Sequence, residues 1–119
     1  MAPPRITIVG GGSTHWTPTL LVDFANTGTL EDAAVTLMDV VPDSLPPMLE
    51  VGQHIAKSRQ IGLAVETTTS LEQALDGADA VIVALSVGGF SSMRHDLEIP
   101  ARYGIRQPVG DTVGPGGIA

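Results

Sequence analysis

The feature that most limits what this chain can fold into is a β-branched run that stops on three glycines, Arg5-Ile-Thr-Ile-Val9 followed by Gly10-Gly-Gly12. The run reads as a short buried strand, and the glycines let the backbone turn sharply at its end. Pro18 then suits the first turn of a helix, with Thr17 as its N-cap. Leu20, Leu21 and Phe24 fall on one face of that helix, and Gly28 is a good stop.

The same alternation continues along the chain. Val35-Thr-Leu-Met-Asp39 is a second apolar strand, ending on an acid. Ser44 and Pro46-Pro47 open a helix whose apolar positions Leu49, Val51 and Ile55 lead to Gly62. Leu63 to Thr68 is a third strand, and Leu71 to Leu75 a short helix closed by Asp76-Gly77. Ala80-Val-Ile-Val-Ala-Leu85 is the fourth strand and the most apolar, broken by Gly88-Gly89. Ser92 to Tyr103 reads as helical, but Pro100 demands a kink or a boundary. A second glycine-rich loop spans Gly110 to Gly117. Strands that are apolar throughout and alternate with helices predict a parallel sheet covered on both faces. Right-handed crossovers make it a doubly wound, Rossmann-like α/β sheet, here read as one domain over residues 1–119.

Composition narrows the partners. Hydrophobic residues make up 43% of the 119 residues but aromatics only 3%, so the core must be aliphatic. The 14 glycines and 9 prolines cluster at turns without a period, which excludes collagen and a low-complexity linker. Six basic against thirteen acidic residues give a formal charge of -7, the wrong sign for a nucleic-acid backbone binder. With no cysteine, disulfides, a Cys zinc site and a thiol nucleophile are excluded within this chain. No apolar run approaches the ~20 residues that span a bilayer, and Met1-Ala-Pro-Pro-Arg5 lacks a signal core. No membrane partner and a cytoplasmic location are expected.

Gly10-x-Gly12, directly after a strand and before a helix, is the context that a dinucleotide fingerprint requires. Glycine lets a pyrophosphate approach the helix N-terminus, where orphan N–H groups at residues 11 to 14 and the positive helix end hold phosphates. Ser13 and Thr14 add hydroxyl donors. His15 stands where the fingerprint has its third glycine, so the helix is expected to sit slightly farther from the sheet. An ordinary tight turn is the alternative. Asp39 favours the nucleotide: it ends the second strand, near the ~20-residue offset at which an acid accepts from the adenosine ribose hydroxyls. A carboxylate there repels a 2′-phosphate, favouring NAD over NADP. Its alternative role is a cap before Pro42.

Other residues are less specific. His54 reads as a surface or half-buried helix histidine, His15 as a packing or ligand residue, and Trp16 as a staple at the helix start. Arg94, His95, Asp96 and Glu98 form a charged cluster after the fourth strand, either facing a ligand or lying on a solvated helix face. Asp111 sits in a glycine-rich loop, where acids often only cap turns.

In order along the chain stand Ile6-Thr-Ile-Val-Gly-Gly-Gly-Ser-Thr14, Leu37-Met-Asp39, Gly77-Ala-Asp-Ala-Val81, Val87-Gly-Gly89, Ile99-Pro100, Tyr103-Gly104 and Asp111-Thr-Val-Gly-Pro-Gly-Gly117. This resembles the N-terminal region of glycoside hydrolase family four, the NAD- and metal-dependent glycosidases, over essentially the whole chain. The glycine turn and the Gly-Ala-Asp strand are shared with lactate and malate dehydrogenases. Val-Gly-Gly at 87–89 followed by Gly-Pro-Gly-Gly at 114–117 is more specific.

The resemblance implies a glycosidase that works outside the two-carboxylate scheme. NAD oxidises the sugar's C3 hydroxyl, a tyrosine takes the C2 proton, the aglycone leaves by elimination, water adds and the hydride returns. It implies that Gly10, Gly11, Gly12, Ser13 and Thr14 form the pyrophosphate loop, that Asp39 binds the ribose and that Ser86 and Val87 line the nicotinamide side. Asp111 falls on the acid that makes the catalytic tyrosine more basic. Phosphoglucosidase members hold the sugar phosphate with an arginine after Gly-Gly; here Met93 takes that place and Arg94 is one position away. Asp-Thr-x-Gly-Pro-Gly-Gly-Ile is closer to the α-galactosidase and α-glucuronidase branch, implying an unphosphorylated glycoside substrate. The chain is then the N-terminal portion of a larger enzyme, its sheet incomplete and with apolar surface exposed. The ligands of a divalent metal (manganese in many members) lie outside it, as does the surface of an expected homo-oligomer. A malate- or lactate-dehydrogenase-like oxidoreductase and a non-catalytic nucleotide-binding module are the alternatives.

Overall fold

The computed structural model describes residues 2–106. Strand β1 (Arg5–Val9) is followed by α1 (Trp16–Asn26), β2 (Ala34–Met38), a 3-10 turn (Pro42–Ser44) and α2 (Leu45–Arg59). Then come β3 (Ala64–Thr68), α3 (Leu71–Leu75), β4 (Ala80–Val83) and α4 (Gly89–Ala101). The loop expected over Gly110 to Gly117, with Asp111, lies outside the described residues. The chain divides into two compact units, the sheet with α1 to α3 in residues 1–85 and α4 in the unit that starts at Ser86.

The four described strands are parallel, in the order β3-β2-β1-β4. Two crossovers, through α1 and α2, step outward from β1 in one direction. The third, through α3, returns across the sheet and places β4 on the other side of β1. The strand order therefore reverses between β1 and β4, which is where doubly wound sheets bind ligands.

Register explains the core. Ile6 pairs with Val35 and Ala80, and Ile8 with Leu37 and Ile82. Paired residues in neighbouring strands share a face, so these side chains form one apolar surface. Leu21 and Phe24 of α1 and Leu45 and Met48 of α2 pack against Ile6, Ile8, Val35 and Leu37. Each fully buried aliphatic contributes roughly 1.5–3 kcal/mol. Close approach helps at one point: a Cβ on Gly52 of α2 would lie 2.6 Å from a Val65 methyl.

The opposite face is different from what uniformly apolar strands lead one to expect. The buried Thr7 hydroxyl donates to the Ala74 carbonyl of α3. The Thr36 hydroxyl donates to Glu66 at 2.8 Å. Val81 and Val83 of β4 are 45% and 66% exposed. Within residues 1–85, one face carries the packed core and the other carries the single short helix α3, which packs against β1, β2 and β3.

Helix ends follow local chemistry. Ser44 stands at the N-cap position of α2 but makes no capping bond, its hydroxyl donating instead to the Val41 carbonyl at 2.7 Å. Gln60 ends the helix in the left-handed conformation (φ 56°), ahead of the expected stop at Gly62. Pro100 stands in the last turn of α4, so it marks a boundary rather than a kink.

Candidate functional site

The glycine turn lies at the carboxyl end of β1, between the ends of β2 and β4. The Met38 carbonyl accepts both the Gly10 and the Gly11 N–H, at 2.9 and 2.8 Å. Gly10 adopts φ +92°. A Cβ there would run into the Ala84 carbonyl oxygen, and one on Gly11 would lie 2.7 Å from Leu37 Cβ. A Cβ on Gly12 would overlap the Ser44 hydroxyl and come within 2.9 Å of Asp39 Oδ2. All three glycines are thus demanded by the close packing of the loop against its own chain.

Past the glycines, the Ser13 N–H donates to the Gly10 carbonyl at 3.1 Å. The Ser13 hydroxyl oxygen accepts the Trp16 N–H at 3.1 Å. Helix α1 begins at Trp16, two residues before Pro18. The expected N-cap, Thr17, is therefore corrected: it lies inside the first turn, and Ser13 satisfies a helix-start N–H instead. The Thr17 side chain turns to the loop, its hydroxyl donating to the Gly11 carbonyl at 2.8 Å. Among the described residues, the Thr14 and His15 N–H groups find no acceptor in the chain. They are free donors at the positive end of a helix.

Asp39 follows β2 directly and is half-buried. Its Oδ2 accepts the Gly12 N–H at 3.0 Å and its Oδ1 accepts the Val41 N–H at 3.1 Å. The two roles considered for this residue are not exclusive. Asp39 braces the turn before Pro42, ties the glycine loop to β2, and keeps a lone pair on each oxygen for a further donor.

His15 and Trp16 are exposed, and their rings meet edge-on with centroids 5.2 Å apart. Trp16, at 54% exposure, is not the buried staple expected at the helix start, because it is itself the first helical residue. His54 is exposed on α2.

In the second unit, Ser86 and Val87 are exposed ahead of α4. Within the charged cluster, Arg94 pairs with Glu98 one turn on, Nε to Oε1 at 3.4 Å, with both side chains largely exposed. His95 and Asp96 take no part in an ion pair among the described residues. No three His, Cys, Asp or Glu residues among those described come together to hold a metal ion. No described helix is long and apolar enough to cross a membrane.

Sequence reasoning missed Thr17 as a buried donor to the loop and Ser44 as the side chain against Gly12. A threonine six residues beyond the middle glycine is the only trace of the first.

Residues 5–119 match the model of the family 4 glycosyl hydrolases. An alpha-galactosidase of Rhizobium meliloti (strain 1021) is 34% identical over 118 residues, covering 99% of this chain and 24% of its own length. An alpha-galacturonidase of Thermoanaerobacterium saccharolyticum is 38% identical over 118 residues, covering 95% of this chain and 24% of its own. A 6-phospho-alpha-glucosidase from gut microorganisms, solved in complex with NAD and Mn2+, matches with a TM-score of 0.80 and 28% identity. That match covers 98% of this chain and 26% of the other. A lactate dehydrogenase of Eimeria maxima, at 20% identity and a TM-score of 0.54 over 82% of this chain and 31% of its own, shares the fold alone. The chain spans about a quarter of the length of the curated relatives it matches.

Proposed function

The chain belongs to the family 4 glycosyl hydrolases, and from that premise we propose that it forms the NAD-binding segment of a glycosidase that cleaves O-glycosyl bonds. The observation that carries the reading is the bond from the Gly12 N–H to Asp39, which joins the glycine loop and the strand-end acid at the reversal of strand order.

The roles follow from the donors and acceptors in hand. Gly10, Gly11 and Gly12 shape the loop, and the Thr14 and His15 N–H groups, with the Ser13 and Thr14 hydroxyls, bind the pyrophosphate. Asp39 accepts from the adenosine ribose hydroxyls with its remaining lone pairs, and its charge disfavours a 2′-phosphate. Bound NAD supplies a reversible hydride acceptor for the sugar's C3 hydroxyl. Ser86 and Val87 line the nicotinamide, Arg94 contacts the glycoside, and Asp111 raises the basicity of the tyrosine that removes the C2 proton. No metal site is formed among the described residues, and the ligands of a divalent metal such as manganese are proposed, from the family membership alone, to lie outside this chain.

The substrate proposed is an unphosphorylated α-glycoside, supported by relatives that are an alpha-galactosidase and an alpha-galacturonidase. The full-length enzyme is proposed to be a cytoplasmic homo-oligomer with no nucleic-acid or membrane partner, of which residues 1–119 are the N-terminal NAD-binding domain.

Titration of the full-length protein with NAD tests this. Asp39→Ala is expected to weaken binding by roughly 10- to 100-fold, since a charged acceptor is removed from both ribose and loop. Unchanged affinity removes the ribose assignment. Turnover of a glycoside without net NADH supports the glycosidase. Steady NADH accumulation with a hydroxy acid supports the dehydrogenase, for which only the shared fold speaks.

A further inference from the structure

We infer that Thr17 is a positioning residue for the NAD site, acting through a single peptide unit of the glycine loop. The inference rests on the reading of that loop as the NAD site.

The carbonyl of Gly11 and the N–H of Gly12 belong to one planar peptide unit, so neither turns without the other. The Thr17 hydroxyl holds the carbonyl at 2.8 Å, and Asp39 Oδ2 holds the N–H at 3.0 Å. The unit is clamped from the first turn of α1 on one side and from the end of β2 on the other. Both flanking residues are glycines, whose backbone torsions are the softest available. Without the hydroxyl, this peptide can rotate, swinging the N–H away from Asp39 and turning a carbonyl oxygen towards its carboxylate. Asp39 then loses the donor that aims Oδ2. Thr17 is wholly buried, with no surface open to a ligand. Its backbone N–H donates to the Ser13 carbonyl at 3.2 Å, so both polar ends of the residue serve the loop.

Thr17→Val replaces the hydroxyl with a methyl of similar size and leaves the Gly11 carbonyl without its donor. NAD affinity of the full-length protein, measured by calorimetry at a temperature where every variant is folded, is expected to fall about tenfold. Thr17→Ser, which keeps the hydroxyl, is expected to bind within about twofold of the unmodified protein. Because the effect passes through Asp39, Thr17→Val on top of Asp39→Ala is expected to weaken binding by no more than about twofold further.

Wild-type affinity in Thr17→Val, alongside a weakened Asp39→Ala, overturns the inference and leaves the NAD reading standing. Failure of Thr17→Ser to restore binding, or losses that multiply in the double variant, also overturns it. If Asp39→Ala binds NAD unchanged, the site reading falls and this inference with it. Should Thr17→Val not fold, Thr17→Cys takes its place. Its weak S–H donor predicts a loss in the same direction, and wild-type affinity there overturns the proposal.

Discussion

Glycines precede α1 and open α4, but a Cβ added to those glycines would meet different surroundings. Before α1, the Cβ positions of Gly10, Gly11 and Gly12 are occupied by the Ala84 carbonyl, by Leu37 and by Ser44 beside Asp39. At the start of α4, among the described residues, the atoms nearest a Cβ on Gly88 belong to Ser92, and one on Gly89 would meet nothing within 4 Å. What Gly88 and Gly89 share is a positive φ, 77° and 55°. The first loop is therefore held in shape by the strands around it, and the second by its own torsions. A surface that must present fixed donors to an anion needs the first kind of loop. Preorganised N–H groups cost nothing to arrange when the ligand arrives.

Alanine substitutions should separate the two cases. Gly10→Ala combines a disfavoured positive φ with a collision against the Ala84 carbonyl. The neighbouring Ala84 N–H is itself bonded to Val9 at 2.8 Å, so that strand end cannot move aside cheaply. The expected loss is roughly 2–5 kcal/mol, combining overpacking with backbone strain. Gly89→Ala meets only the torsional term, about 1–2 kcal/mol. Urea unfolding of the full-length protein gives both values, and equal losses would break the comparison. If Gly89→Ala is the costlier, the second loop is packed against something that its open Cβ position does not show.

The same contrast separates what could be read in the sequence from what could not. All four strands, α2 and α3 fall within a few residues of where apolar runs and Gly or Pro punctuation put them, because those signals are local. The place of Asp39 at the end of β2 was legible for a similar reason, though not its two bonds to the Gly12 and Val41 N–H groups, which depend on how the chain turns there. Thr17 was not. Beside Pro18 it looks like a cap, and only the path of the Gly10-Gly11-Gly12 turn brings the Gly11 carbonyl to its hydroxyl. Trp16 misled for the complementary reason, since its burial depended on a helix start two residues later than the one observed. Val81 and Val83 carry a core composition without core burial, and composition alone cannot say which neighbour covers a strand.

The smallest expected effect on stability lies on α4 and bears on the proposed glycoside contact. Arg94 and Glu98 form an exposed pair one helical turn apart, the kind that stabilises a helix by about 0.5 kcal/mol or less. Arg94→Gln is therefore expected to leave the urea midpoint nearly unchanged, and Glu98→Gln likewise. Their kinetics should differ. If Arg94 contacts the substrate, Arg94→Gln raises KM, whereas Glu98→Gln frees the guanidinium and leaves KM unchanged or lower. Equal KM values for both variants would return Arg94 to an ordinary solvated helix face. A rise in KM confined to Arg94→Gln would sharpen the contrast with the first loop, whose glycines cannot take a side chain without displacing their neighbours. On α4, an exposed side chain could then be given to the substrate at little cost to the fold.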